Sequence, residues 1–408
     1  MKKRKILYIA SSIGLSINQS GGAGTHIRGT IQGFRENDVD VLPFIGGDIF
    51  RGLPSKKADE GPVKEDKPSS FRNIFKQALP KKIRLLLRDL RTVRQDYLFE
   101  NKIIKRTREF SPDAIYERSG YLSTSGSRIA KKLGVPHFVE SDGCMVEIIN
   151  NDYGVFSLFI GNWIERKKLQ SADYVVVMNE RAIPEIATKF KLKEHKFLVK
   201  HLGVDFDAFN QDENRITELK RRYGIEGKFI VGFVGAISTY HGINYLIEAA
   251  AAVQKSNFQD IIFLIIGWSK EGEKLKRKAE EMGLKNIIFA GKVDKSVVSE
   301  YYRLFDVGVI PDAEEGIYPI KVLEYGKFGI CPLAPDYLIF RDIIKEGESG
   351  YFFRPRDAHS LSENVLKIYK EREGIIDIGR NWMSYVKDNF QWGDTVKDVI
   401  KAIIPSTK

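Results

Sequence analysis

With 408 residues, 43% of them hydrophobic, and a net charge of +11, the chain has material for about two domains, each with a full core. Cys144 and Cys331 stand far apart, with no CxxC or cysteine–histidine spacing, which excludes a disulfide framework and a structural zinc and suits a reducing cytoplasm. No run reaches the roughly 18 apolar residues of a membrane span; Asp260 to Ile266 has the length of a strand.

Met1 to Ala10 carries basic and then apolar residues, as a signal peptide does. Its apolar run is short and a glycine loop with an amphipathic helix follows, so Lys5 to Ala10 reads as the first strand of a doubly wound domain. Gly21-Gly22-Ala23-Gly24-Thr25-His26 then leads into a helix through Ile27, Ile31 and Phe34. Glycines let a backbone approach a ligand, and a helix start offers unpaired N–H groups to an anion. The segment is not G-x-G-x-x-G and stands ten residues from the strand, so it is no dinucleotide fingerprint.

Val39 to Ile45 reads as the second strand, and Gly46 to Ser70, rich in Gly, Pro, Lys, Asp and Glu, as a mobile loop. Between Arg72 and Arg108 stand twelve Lys/Arg and three Asp/Glu, which puts +9 of the net charge in one segment. Ile83, Leu86, Leu87, Leu90, Val93 and Tyr97 recur there at helical spacing, giving a basic amphipathic helix. A solvated surface, a patch for an anionic membrane and a nucleic-acid surface are the uses open to it, and no nucleic-acid motif accompanies it.

Ala114 to Arg118 is a strand ending on two charges, a helix follows near Thr124 to Leu133, and Pro136 to Glu140 is the next strand. The carboxyl ends of parallel strands line the ligand crevice, which makes Glu117, Arg118, Glu140 and Asp142 site candidates. An internal arginine–glutamate pair is the competing reading. Asp173 to Met178 and Lys196 to Lys200 are further strands, and His201-Leu-Gly-Val-Asp205 turns the chain into a charged helix ending near Arg222, so a domain boundary falls near 195 to 215. A second βαβ series then runs from Phe229 to Ile310, with strands at 229–234, 261–266, 287–289 and 307–310 and helices between them. Alternation of that kind means a parallel sheet covered on both faces. The expected fold is α/β, with two doubly wound Rossmann-like domains facing a cleft, where ligand sites prefer to form.

One stretch crowds three carboxylates, a lysine and two glycines at a strand-to-helix junction: Glu314-Glu315-Gly316-Ile317-Tyr318-Pro319-Ile320-Lys321-Val322-Leu323-Glu324-Tyr325-Gly326. Pro311-Asp312 closes the strand before it, and the helical pattern beginning at Val322 stops at Gly329. Such a helix start suits a phosphate, with Lys321 adding a point charge and Glu324, one turn in, able to accept from sugar hydroxyls.

In this order the segments resemble the retaining glycosyltransferases of the GT-B fold, in particular the large fourth sequence family (glycosyl transferases group 1), which uses nucleotide-sugar donors. Gly21 to His26 looks like its N-terminal glycine loop, and Leu202-Gly203-Val204-Asp205 like the turn opening its C-terminal half. Phe233 to Ile243 is similar to its diphosphate loop, and Phe289-Ala-Gly-Lys-Val293 to the strand end at the nucleobase. Phe390-Gln391-Trp392 resembles the start of the last helix, which crosses back onto the first domain. The family's donor motif has a glutamate, seven residues, then a second glutamate; Glu324 takes the second place, and the first falls on Gly316, with Glu315 adjacent. The usual arginine and lysine after the Val-Gly of the diphosphate loop are here Ala236 and His241.

The resemblance implies an N-terminal domain over 1–200, a donor-binding domain over 201–382 and a last helix, 383–408, packed back on the first. It implies retention of anomeric configuration, with Lys321, His241, Arg118 and Glu315 on the catalytic side. Gly22, Ala23, Gly24, Gly235, Ala236, Lys292, Val293, Gly316, Ile317, Tyr318, Ile320 and Glu324 are expected at the donor, and Glu117, Glu140 and Asp142 at the acceptor. No metal or other cofactor is required: Asp38-Val-Asp40 and Asp205-Phe-Asp207 have the Asp-x-Asp form, but the first lies at the start of a strand, the wrong end for a site. The partners implied are a nucleotide-sugar donor, a saccharide or lipid-linked acceptor and an anionic membrane surface at 72–108, with no nucleic acid. The competing readings are a nucleotide-sugar epimerase or hydrolase and a donor-binding protein without catalysis.

Overall fold

Runs of β-branched and aromatic residues alternate with helices along most of the chain, and they assemble into two wholly parallel sheets of six strands each. The structure, a computed structural model, describes residues 3–19, 21–51, 79–206, 212–237, 241–313 and 319–403. Two units are distinct: one comprises 1–19, 23–201 and 395–408, the other 20–22 and 202–394.

In the first unit the strands are β1 (Arg4–Ala10), β2 (Val39–Ile45), β3 (Ala114–Arg118), β4 (His137–Glu140), β5 (Tyr174–Val177) and β6 (Phe197–Val199), in the order β2-β1-β3-β4-β5-β6. β1 pairs with β2 from Arg4 opposite Val39 to Ala10 opposite Ile45. The second sheet holds β7 (Phe229–Val234), β8 (Ile261–Ile266), β9 (Ile287–Gly291), β10 (Val307–Val309), β11 (Cys331–Pro335) and β12 (Tyr351–Phe353), in the order β12-β11-β10-β7-β8-β9. Every residue of β8 is buried, as in a parallel strand covered by helices on both faces. Ile247, Ala250 and Val253 of the helix Ile243–Gln254 join Phe263 and Leu333 in that unit's core.

Two sequence expectations change. Gly46–Arg51, read as the start of a mobile loop, is a short helix; a Cβ on Gly46 or Gly47 would stand 2.2 or 2.1 Å from the carbonyl oxygens of Ser11 or Leu15, so the glycines let this turn lie against the β1 loop. The rest of that loop lies outside the described residues. The helix Ile375–Asn389 was expected from 383 on to pack upon the first domain; it packs instead in the second unit, where Trp382 Nε1 donates to the Val322 carbonyl at 3.0 Å and Val386 covers Gly326. Only the chain from 395 onward joins the first unit, through Val396, Val399, Ile400 and Ile403.

The basic helix Lys81–Phe110, whose use the sequence leaves open, does not turn all of its apolar stripe inward. Its buried residues are Asp89, Asp96, Phe99, Glu100, Ile103 and Thr107, while Ile83, Leu87, Leu90 and Tyr97 are exposed. Among the described residues no helix is long and apolar enough to cross a membrane.

Candidate functional site

In the second sheet the direction of strand addition reverses between β7 and β10. In open α/β sheets ligands bind outside the carboxyl ends of strands at such a reversal. There β7 passes into Gly235, at φ +152°, and Ala236, while β10 passes into Ile310, Pro311 and Asp312. A Cβ on Gly267 would stand 1.8 Å from the Gly235 carbonyl oxygen, so β8 must leave the sheet on a glycine. The Gly235 N–H donates to Ile266 and the Gly267 N–H to Gly291, both at 2.9 Å, tying the ends of β7, β8 and β9 together.

Gly232 and Gly308 face each other across β7 and β10. A Cβ on Gly308 would lie 2.4 Å from the Tyr325 ring, so its absence lets that ring rest on the sheet, with the hydroxyl donating to the Val309 carbonyl at 2.9 Å. The ring holds the helix Ile320–Lys327, and its first turn brings Lys321 over β7. Lys321 Nζ sits 4.3 Å from the centre of the Phe233 ring and 3.0 Å from where a Cβ on Gly235 would be. The residue is 7% exposed. Burial brings its pKa down to about 7, against the opposing pull of Glu324. Among the described residues no hydrogen bond or ion pair reaches Nζ, so a buried cation is held chiefly by an aromatic face.

His241 stands just before Gly242, at φ +66°, and the helix Ile243–Gln254. A Cβ on Gly242 would meet that of Asp312 at 2.5 Å, which fixes the helix start against the end of β10. The His241 ring meets Phe233 edge-on at 5.7 Å, so Phe233 touches both Lys321 and His241. Burial, then the Lys321 charge, lowers the His241 pKa to about 3, against a hydrogen bond to the Ala236 backbone; the ring is neutral at pH 7. Glu324 accepts from the Tyr302 hydroxyl at 2.6 Å through Oε2, and Tyr302 is itself stacked on Phe328 at 4.8 Å.

The structure thus gathers Lys321, His241, Gly235, Ala236, Ile320 and Glu324 around the ends of β7 and β10, with Lys292 and Val293 just beyond the end of β9. Glu315, Gly316, Ile317 and Tyr318 lie outside the described residues. Phe233, Tyr302 and Asp312 were not among the residues expected at the site. Phe233 was findable as an inward-facing residue near the end of β7. Nothing local to Tyr302 announces a bond made 22 residues on. Asp312 accepts from the Tyr337 hydroxyl at 2.9 Å and from Arg356 Nε at 3.2 Å, two contacts equally remote in sequence.

In the first unit the reversal lies between β1 and β3, and there two acceptor-side candidates are corrected. Glu117 is buried, accepting from Ser123 Oγ at 3.1 Å and facing His137 Nε2 at 2.9 Å. Glu140 is buried among Tyr116, His26 at 3.0 Å, Lys200 at 3.2 Å and Arg118 at 3.3 Å. Burial alone would raise the Glu140 pKa, yet the surrounding donors and cations hold it well below the ordinary value. Both carboxylates are spent internally, since a buried charge persists only where it is paired. Arg118 and Asp142 form the outer edge of this network, joined at 2.7 Å with side chains 12% and 21% exposed.

His26 was read as part of the glycine loop, but it serves the same network; burial lowers its pKa to about 4, so it is neutral at pH 7 and bonds to Glu140 as a hydrogen-bond donor. Gly22 and Ala23 open the helix Gly22–Glu36, and Gly24 is demanded by packing, because a Cβ there would stand 1.9 Å from the Gln19 carbonyl oxygen.

Residues 215–382 match the model of the family described as glycosyl transferases group 1. The chain is 26% identical to the alpha-D-kanosaminyltransferase of Streptomyces kanamyceticus over 52% of its length and 55% of that protein. It is 22% identical to the capsular polysaccharide biosynthesis glycosyltransferase CapM of Staphylococcus aureus over 58% of its length and 62% of that protein. The chain therefore spans between about half and two thirds of these curated relatives. Among solved structures, HepE of Anabaena in complex with UDP is similar at a TM-score of 0.67 and 13% identity, covering 98% of this chain and 99% of that one. The fold is that of the GT-B proteins, with an α/β parallel sheet in each unit.

Proposed function

We propose that this protein is a glycosyltransferase that moves a sugar from a nucleoside-diphosphate donor to a hydroxyl of a saccharide or lipid-linked acceptor, with retention and without a metal. The observation that carries the reading is Lys321: a lysine held at about 7 by burial against the pull of Glu324, with no hydrogen bond or ion pair to its ammonium among the described residues, at the strand reversal of its sheet. An anionic group arriving there restores its charge and gains an ammonium that is already positioned and desolvated. The family match over 215–382 and the capsular relative support sugar transfer and a saccharide acceptor. The cationic helix Lys81–Phe110 supports an anionic membrane surface, on the cytoplasmic side, as the place of work.

In the transfer the bond from the anomeric carbon to the diphosphate oxygen breaks, and its electron pair goes to the leaving phosphate. The acceptor oxygen forms the new bond on the same face and passes its proton to that departing oxygen. Lys321 and the start of the helix Ile320–Lys327 stabilise the charge that develops, and neutral His241 adds a hydrogen bond without adding repulsion. Glu324, braced by Tyr302, accepts from the ribose hydroxyls.

Incubation with labelled nucleotide sugars, with and without a lipid extract, tests this. Transfer to acceptor, insensitive to chelators and falling at least about a hundredfold in Lys321→Met, is the expected result. Release of free sugar alone would point to hydrolysis. Binding with neither product would mean a degenerate donor-binding protein, and the anomeric configuration of the product decides retention.

A further inference from the structure

Eighteen large hydrophobic residues are exposed on the described chain, and twelve of them lie in just two segments, 79–98 and 153–163. The two adjoin. Arg88 Nη2 donates to the Gly154 carbonyl at 2.8 Å, the Phe156 N–H donates to Asp89 at 3.0 Å, and a Cβ on Gly154 would lie 3.5 Å from Leu85. Asp89, itself buried, thus fastens the loop after Tyr153 to the basic helix.

Beyond that loop Ser157 caps the helix Leu158–Ser171, accepting from the Ile160 N–H. Gly161 presses this helix onto Val146, where a Cβ would come within 2.7 Å, and the opposite side bears Phe159, Trp163 and Lys167 at intervals of one turn. Phe159 is 82% exposed, Trp163 56%, Tyr153 69% and, on the neighbouring helix, Leu90 57%.

The charges around this surface are one-sided for a structural reason. Asp89, Asp96 and Glu100 all face inward, the first to Tyr121 and Phe156, the second to Thr124 and Ser125, the third to Arg128 and Lys132. Lys81, Lys82, Arg84, Arg91 and Arg94 are left on the exposed side with no exposed acid between Leu79 and Leu98. Asp152 stands at the edge of the patch, and Glu165 is buried, accepting from the Met145 and Val146 N–H groups.

We infer that this composite surface docks on an anionic lipid bilayer, the aromatic tip Phe159–Trp163 entering the interface while the cations of the helix Lys81–Phe110 lie among the headgroups. Aromatic and aliphatic side chains rimmed by cations, with an exposed acid, Asp152, only at the edge, are the composition that a headgroup region recognises. The inference takes up the anionic surface of the proposal above and assigns the residues that enter it; it holds whether or not sugar is transferred.

The test is sedimentation of the full chain with vesicles of phosphatidylcholine alone or with one third phosphatidylglycerol, without donor or acceptor. Binding to the anionic vesicles is expected. Phe159→Glu and Trp163→Glu should each weaken it at least about tenfold, and Arg84→Gln and Arg91→Gln about fivefold each on anionic vesicles only. In a Trp268→Phe background, Trp163 is the one exposed tryptophan left, since Trp382 and Trp392 are buried; its fluorescence should shift to the blue and be quenched by brominated lipid. Intact circular dichroism in each variant separates lost docking from lost folding.

No anionic-vesicle binding, binding unchanged by Phe159→Glu and Trp163→Glu, or unquenched Trp163 overturns the inference. So does a dimer that forms through Phe159 in place of lipid binding, which would assign the patch to a second copy. Turnover on a soluble acceptor, unaffected by these variants, keeps the outcome distinct from that of the transferase reading.

Discussion

Lys321 concentrates the conflict between folding and binding in this protein. Its folded pKa of about 7 lies below the 10.5 of a free lysine, so between those values the unfolded chain holds a proton that the folded chain has lost. Stability on this account rises as pH climbs from about 7 to 10.5, is complete above that window and is lost as pH falls back through it. Lys321→Met, similar in length and without the charge, should therefore raise stability at pH 7 by a few kcal/mol, on the order of 1.4 kcal/mol per unit of displacement, with the gain closing towards pH 10.5. Urea melts of both proteins across that range check it. The same substitution should remove proton uptake on ligand binding. At pH 8 the wild-type lysine is mostly neutral, and a nucleoside diphosphate that restores its charge takes up close to one proton, to be read by calorimetry in buffers of different ionisation enthalpy. Uptake equal in the two proteins would separate Lys321 from the ligand.

At the scale of elements the site depends on residues that carry no chemistry. Gly308 admits the Tyr325 ring, the ring seats the helix Ile320–Lys327, and the helix aims Lys321. Gly308→Ala should cost on the order of 1–3 kcal/mol by overpacking and weaken nucleotide binding with it, whereas Gly374→Ala, where nothing lies within 4 Å of the new Cβ, should leave both nearly unchanged. Denaturant midpoints and nucleotide affinity measured on the two variants decide between them. The strands β7, β8 and β10 were legible in the sequence because apolar runs bounded by glycine and proline have one parallel-sheet reading. β11 was not: Cys-Pro-Leu-Ala-Pro carries two prolines and looks like a break, yet it pairs with β10 and β12. The basic helix showed its period but not which face is buried, because a buried Asp89 or Glu100 is made acceptable by partners on other elements, here Tyr121, Arg128 and Lys132. For the same reason Glu117 and Glu140 looked open to a ligand, when His137, Lys200 and His26 had already claimed them. Lys321 and Glu324 were readable because a strand end followed by a helix start is a local pattern, and Tyr302 was not, because its partner is found only after folding.

At the scale of the whole molecule the chain enters the second unit after His201 and returns to the first at Thr395. That return supplies core: Val396, Val399, Ile400 and Ile403 pack with Ile6, Tyr8 and Ile31, and Arg4 reaches the Ile400 carbonyl at 3.4 Å. Burying four side chains of that size is worth roughly 1.5–3 kcal/mol each as an upper bound, which is comparable to the roughly 5–15 kcal/mol that holds a typical domain folded. The second unit has an independent anchor, since the helix Ile375–Asn389 closes its core through Trp382 and ends before the return begins. Ending the chain at Asp394 should therefore unfold or strongly loosen the first unit while sparing the second. Hydrogen exchange followed by peptide mapping would show β1 to β4 exchanging orders of magnitude faster, with β7, β8 and β10 protected as in the full chain. Equal loss of protection in both sheets would mean that the two units fold as one cooperative block and that the last helix stabilises the whole rather than its own unit.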